Sequence, residues 1–171
     1  MSVTPATPVA PVTLPSGVVL RRCSLGEALP LRHAVLRPGM PVHEAFYEGD
    51  TLEVNRHYGA FDLGRPVACA SCMLNAWEGE PAWQLRGMGT RADLRGRGLG
   101  AALLGYVEAE LRGHPPANDG PRVGPLRVRW FWCNARVAAV PFYERQGWRV
   151  VSEEFDVPTV GPHHRMLRGL D

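Results

Sequence analysis

The seven residues Arg95-Gly96-Arg97-Gly98-Leu99-Gly100-Ala101 constrain this chain more than any other stretch. They lie between a strand-like run at 83–90 and a helix-like run at 99–112. Glycine at every second position lets the backbone turn tightly and brings successive N–H groups close to an anion. A helix N-terminus beginning at the same place adds its partial positive charge. The segment therefore predicts a strand, a phosphate-cradling loop and a helix in succession.

Two familiar phosphate loops fit poorly. The stretch satisfies the loose dinucleotide spacing Gly96-x-Gly98-x-x-Ala101, yet a Rossmann unit needs its loop directly after the first parallel strand. Here a polar spacer, Arg91-Ala92-Asp93-Leu94, intervenes, and the loop follows the fourth predicted strand. A Walker loop needs lysine, and all 19 basic residues are arginines. Any cation in a site must then be arginine or histidine.

The net charge of +2, with the basic residues dispersed, argues against a nucleic-acid partner. There is no apolar run long enough to span a membrane and no signal-peptide pattern at the start, so the expected location is cytoplasmic. Cys23, Cys69, Cys72 and Cys133 read as free thiols of a reduced protein. Cys69 and Cys72 have C-x-x-C spacing, but no second pair follows, and residues three apart on a strand point to opposite faces. No metal site is expected.

Residues 1–17 are rich in Pro, Thr and Val and read as a tail; a single domain is expected over 18–171. A strand at 18–22 precedes a helix from Ser24, opened by a capping box with Glu27, to about Val35. The segment 40–53 carries mixed signals. Residues 55–62, 67–77 and 83–90, separated by tight turns, form an antiparallel meander. After the helix at 99–112 and a loop at 114–125 come a strand at 126–133 and a mostly helical stretch at 134–146. Pro141 there marks a kink or the first turn of a second part. Gly147 stops it, and strands at 148–155 and 164–170 close the chain.

Arg95-x-x-Gly98-x-Gly100, the preceding Gln84-Leu85-Arg86-Gly87-Met88-Gly89-Thr90, and the downstream Asn134-Ala135-Arg136 and Phe142-Tyr143-Glu144-Arg145-Gln146-Gly147-Trp148 together resemble the GNAT superfamily of N-acetyltransferases. The resemblance runs from about Val18 to the C-terminus. It implies an α/β (α+β) fold with a mixed, mostly antiparallel sheet of six to seven strands, splayed between the fourth and fifth, and about four helices. It also implies acetyl-CoA as co-substrate; a small-molecule amine is the leading acceptor, and because many members pair, a homodimer is one possible assembly. The loop Arg95, Gly96, Arg97, Gly98, Leu99 and Gly100 would surround the diphosphate, the Met88, Gly89 and Thr90 backbone would pair with the pantetheine arm, and Asn134 would contact the pantetheine or acetyl region.

Acyl transfer to an amine needs a neutral amine, an oxyanion donor and a proton for the leaving thiolate. By the resemblance, a backbone N–H near Met88 is the oxyanion donor and the Tyr143 hydroxyl protonates the thiolate. With an ordinary pKa of about 10, a tyrosine holds that proton at neutral pH. Phe142 is expected to fill the core. Glu44, Glu48, Asp50, His163 and His164 are the possible bases, each with an ordinary surface role as its alternative. Arg86, inside a covered strand, needs an anion: either a carboxylate of the substrate or a neighbour such as Glu44 or Glu53. Gly89 stands where a bulkier residue is common and either widens the cleft or loosens the strand. An acyl-CoA sensor without turnover and a protein N-acetyltransferase are the alternative functions.

Overall fold

The computed structural model describes residues 10–116 and 126–171. Among these residues nine strands form one sheet: β1 (Val12–Thr13), β2 (Val19–Cys23), β3 (Arg56–Asp62), β4 (Arg65–Trp77), β5 (Glu80–Thr90), β6 (Trp130–Arg136), β7 (Arg149–Val150), β8 (Phe155–Val157) and β9 (Gly161–Gly169). Three α-helices accompany them: α1 (Leu25–Leu36), α2 (Leu99–Gly113) and α3 (Val140–Arg145). The order across the sheet is β1-β2-β3-β4-β5-β6-β9-β7, with β8 also on β9. Every pairing is antiparallel except β5 with β6.

The expected six to seven strands become nine because three are only two or three residues long, too short to leave a period in the sequence. One of them, β1, lies inside the segment read as a tail. The expected strand at 148–155 is broken into β7 and β8, and the strand expected from Leu126 begins at Trp130. The four helices become three. The stretch 134–146 is helical only from Val140: Asn134, Ala135 and Arg136 extend β6, a 3-10 turn covers Val137–Ala139, and Pro141 sits in the first turn of α3. There its missing N–H costs nothing. The loop expected at 114–125 falls largely outside the described residues.

Both faces of the sheet are covered, which is why β4 is buried on both sides along its middle. Cys69 packs with Ala28 and Leu31 of α1, whereas Cys72 belongs to the larger core with Leu103, Leu104 and Val107 of α2. Opposite faces, as their spacing predicts, keep the two thiols apart. Helix α1 opens on the Ser24–Glu27 capping box. Gly89 is explained by its far side: a Cβ there would lie 2.9 Å from Val35 Cγ1, so the glycine admits α1 against β5 rather than widening the cleft.

Buried charges tie the layers together. Glu110 of α2 is fully buried and receives Arg56 at 3.0 Å, Arg22 at 3.1 Å and the Tyr58 hydroxyl. On the α1 face, buried Arg32 meets Asp50 at 2.6 Å and donates to the Ala45 carbonyl and to Ser71 Oγ. Ser71 in turn donates to His57 Nδ1, and His57 Nε2–H donates to the Asp50 carbonyl. This network pins residues 45–50, ambiguous in sequence, against the sheet.

Candidate active site

The glycine loop opens directly onto α2. Gly96 and Gly98 adopt φ of +74° and +78°, which L side chains rarely reach. Gly98 is the N-cap of α2, so no side chain caps the helix, and its first turn holds no acid. The amides at this mouth face a cavity of about 380 Å³, lined by Arg95, Gly96, Gly98, Leu99 and Gly100, with Thr90 at the strand end and Arg145 opposite. An anionic group fits here: the donors and the helix field are in place, with a cation nearby. Phe142 packs against the edge of the core, and its half-buried ring also lies over Gly100 on this wall. Arg97 points to solvent and takes no part in the lining.

A second cavity, about 310 Å³, begins where the two parallel strands separate. β5 and β6 pair from Ala82–Trp130 as far as Leu85–Cys133 and no further. Beyond that point β5 leans on β4 alone and β6 on β9. Between Arg86 and Gly89, β5 also carries one residue more than β4, where Ser71 pairs with Arg86 and Cys69 with Gly89. Such a bulge turns backbone groups out of the ladder. Met88 lies within it, at the mouth of the gap.

Tyr143 reaches this gap from α3. The helix ends in a Schellman arrangement, with Gly147 N–H donating to the Glu144 carbonyl and Trp148 N–H to that of Tyr143. Packing against Phe142 and Trp148 fixes the ring. The hydroxyl donates to Met88 Sδ at 3.8 Å and also engages the Cys133 thiol. Burial pushes the phenol well above its usual pKa, so it is protonated throughout the neutral range.

A family model described as an acetyltransferase (GNAT) domain matches residues 53–150, more than half of the chain. This protein belongs to the GNAT family. It is 29% identical to the uncharacterized N-acetyltransferase YitI of Bacillus subtilis (strain 168), over 88% of this chain and 95% of YitI. Among solved structures, Escherichia coli ElaA superposes with a TM-score of 0.69 at 20% identity, over 88% of this chain and 99% of ElaA. An aminoglycoside 6'-N-acetyltransferase complexed with coenzyme A gives 0.63 at 12% identity, over 89% and 97%. These structures establish the fold, and the family makes the protein an acetyltransferase with acetyl-CoA as co-substrate.

Within this GNAT domain, Arg86, Asn134, Met88 and Tyr143 all line the gap. Asn134 lies within β6 and caps no helix. Glu44 does not join them: it sits on an exposed 3-10 turn beside His43, at 3.6 Å. Asp50 is buried in its pair with Arg32. Arg86 has no carboxylate partner among the described residues, neither Glu44 nor Glu53. Its guanidinium stacks on the Tyr47 ring, 4.5 Å from the centroid, with the Glu48 carbonyl at 3.5 Å. His163 lines the gap with its ring buried. Its Nδ1–H donates to the Gly161 carbonyl at 2.7 Å, which leaves the Nε2 lone pair open. His164 instead approaches the Ser152 carbonyl and Glu154.

Tyr47, Arg37 and Arg136 also line this cavity, and sequence reasoning missed all three. Tyr47 lay in the ambiguous segment, while Arg37 falls between the end of the expected first helix and that segment. The unpaired arginine count offered a signal, but only long-range packing tells which arginines lack a carboxylate.

Proposed function

We propose that this protein transfers the acetyl group of acetyl-CoA to a primary amine of a small molecule by direct attack, using residues 18–171 as one catalytic domain. The observation that carries this reading is the Tyr143 hydroxyl, held between Met88 and Cys133 where β5 and β6 part. A raised phenol pKa suits a group that must still carry its proton when the thiolate leaves. In this reading Tyr143 is the acid, the backbone around Met88 supplies the oxyanion donor, and Asn134 steadies the pantetheine or acetyl end. The amides from Arg95 to Gly100 hold the diphosphate, and the Met88-Gly89-Thr90 backbone pairs with the pantetheine arm.

A cavity of about 310 Å³ favours a small acceptor, since it stands at the lower end of the small-molecule range of roughly 300–1,000 Å³. Arg86 stands on the acceptor side. Because no carboxylate among the described residues lines the cavity, His163 Nε2 is the group that takes the amine's proton in this reading. The test is release of free thiol from acetyl-CoA in the presence of a panel of small amines, amino acids and short peptides. Turnover confined to small amines supports the reading. Turnover confined to peptides would assign a protein acceptor instead, and acetyl-CoA binding without thiol release from any amine would reject the transfer.

A further inference from the structure

We infer that the amine acceptor carries an anionic group, bound by Arg86 together with Arg37 and Arg136. This deepens the transferase reading and rests on it. Three arginines line the splayed cavity, no aspartate or glutamate does, and none of the three forms an ion pair among the described residues. Arg37 and Arg136 both donate to the carbonyl of Leu36, at 3.0 and 3.3 Å, so two cations meet at the end of α1 on a single acceptor. Each uses one N–H there, and a guanidinium has five. Arg86 has only the distant Glu48 carbonyl.

The placement of Arg86 is built rather than incidental. Two guanidinium groups lie against the Tyr47 ring, Arg32 at 4.6 Å and Arg86 at 4.5 Å from its centroid. Arg32 is neutralised by Asp50, whose carboxylate also accepts the Tyr47 N–H at 2.7 Å. The buried network therefore fixes the ring, and the ring fixes the cation. Its pairing with Ser71 puts Arg86 on the α1 face of the sheet, the face that also carries Arg37. An unneutralised, preorganised guanidinium is suited to a carboxylate, sulfonate or phosphate, which its fork can grip through two N–H groups.

The same charges serve the chemistry. Nearby cations disfavour the ammonium form of the acceptor, raising the fraction present as the attacking amine. Without an anion on the acceptor, however, they would also repel the ammonium as it approaches. An anionic substituent resolves this conflict, because it pairs with the arginines while the amine faces the acetyl group. The amine nitrogen forms the new amide bond, the thioester C–S bond breaks, the amine's proton passes to His163 and the Tyr143 hydroxyl protonates the departing thiolate.

The test uses matched acceptors of equal length: an ω-amino acid, the corresponding aminoalkyl sulfonate and phosphate, and the plain alkylamine and amino amide. Their kcat/KM values are measured in wild type, Arg86→Gln and Arg86→Lys. The expected result is a preference for one anionic class over the neutral amines of roughly 10- to 100-fold. Arg86→Gln should collapse that ratio toward one, with acetyl-CoA affinity and melting temperature unchanged, and Arg86→Lys should restore only part of it. The identity of the preferred anion distinguishes carboxylate from sulfonate and phosphate. A simple dicarboxylate lacking an amine should also compete with the acceptor in wild type and not in Arg86→Gln. Equal or better turnover of neutral amines, or an anion preference that survives Arg86→Gln, would overturn the inference while leaving the transferase reading intact. Absence of turnover with every amine would overturn both.

Discussion

Tyr143 and His163 divide the proton work of the proposed reaction, and each predicts a separate failure. Tyr143→Phe keeps the ring, its packing on Phe142 and Trp148, and the helix end. It removes only the hydroxyl at Met88 and Cys133. The expected outcome is a fall in kcat of about 100-fold with acetyl-CoA affinity retained, since a positioned acid typically contributes 10²–10⁴. Initial rates of thiol release and equilibrium titration check it; an unchanged kcat would remove Tyr143 from the chemistry. His163→Gln should lower kcat/KM by a similar order, about 100-fold, and added imidazole should recover part of the loss. No recovery, with the fold intact, would make His163 a packing residue. Tyr143 was legible from its sequence context, by resemblance. His163 was only one of five possible bases in the sequence; tertiary packing puts it on the wall of the gap and ties Asp50 to Arg32.

At the scale of elements, the loop and α2 were the most legible part of the molecule, because alternating glycines and a helical period are local patterns. Two glycines of this region predict opposite effects. Gly98 holds φ of +78° at the helix mouth with nothing within 4 Å of a Cβ, so Gly98→Ala meets backbone strain rather than a clash. The cost is about 1 kcal/mol, and the amides it orients shift; acetyl-CoA affinity should fall, as calorimetry would detect. Gly105, on the exposed side of α2, has open space and ordinary backbone geometry. Gly105→Ala should stabilise the protein by about 0.5–1 kcal/mol without altering acetyl-CoA affinity, measured by urea unfolding. A weakened affinity in the second variant, or none in the first, would contradict this assignment. Of the short elements, β1 was not legible and β7 and β8 were read as one strand, since two or three residues carry no period. Asn134 to Arg136 were misread as helix because only pairing with β9 holds them extended.

Across the whole molecule, buried acids that stay neutral set the alkaline limit of stability. Burial raises the thiols of Cys69 to about 11 and Cys23 to about 12, and pushes Tyr58 and Tyr143 well above 10. The unfolded chain releases these protons at lower pH than the folded one. Their contribution is therefore complete below about pH 9 and is lost as pH rises toward the folded values. Urea midpoints should be flat from pH 7 to about 9 and then decline, and Tyr143→Phe should soften the decline; a midpoint rising above pH 10 would contradict the sign. The sequence by itself determined the family, the glycine loop ahead of α2, the order of most elements and the tyrosine proposed as the acid, since each rests on residues close in the chain. Tertiary structure alone decided which arginines face the acceptor without a carboxylate, which candidate bases are silenced in ion pairs, and where β5 leaves β6. Those are properties of groups 18 to 100 positions apart, and charge pairing and burial across such distances have no signature in local order.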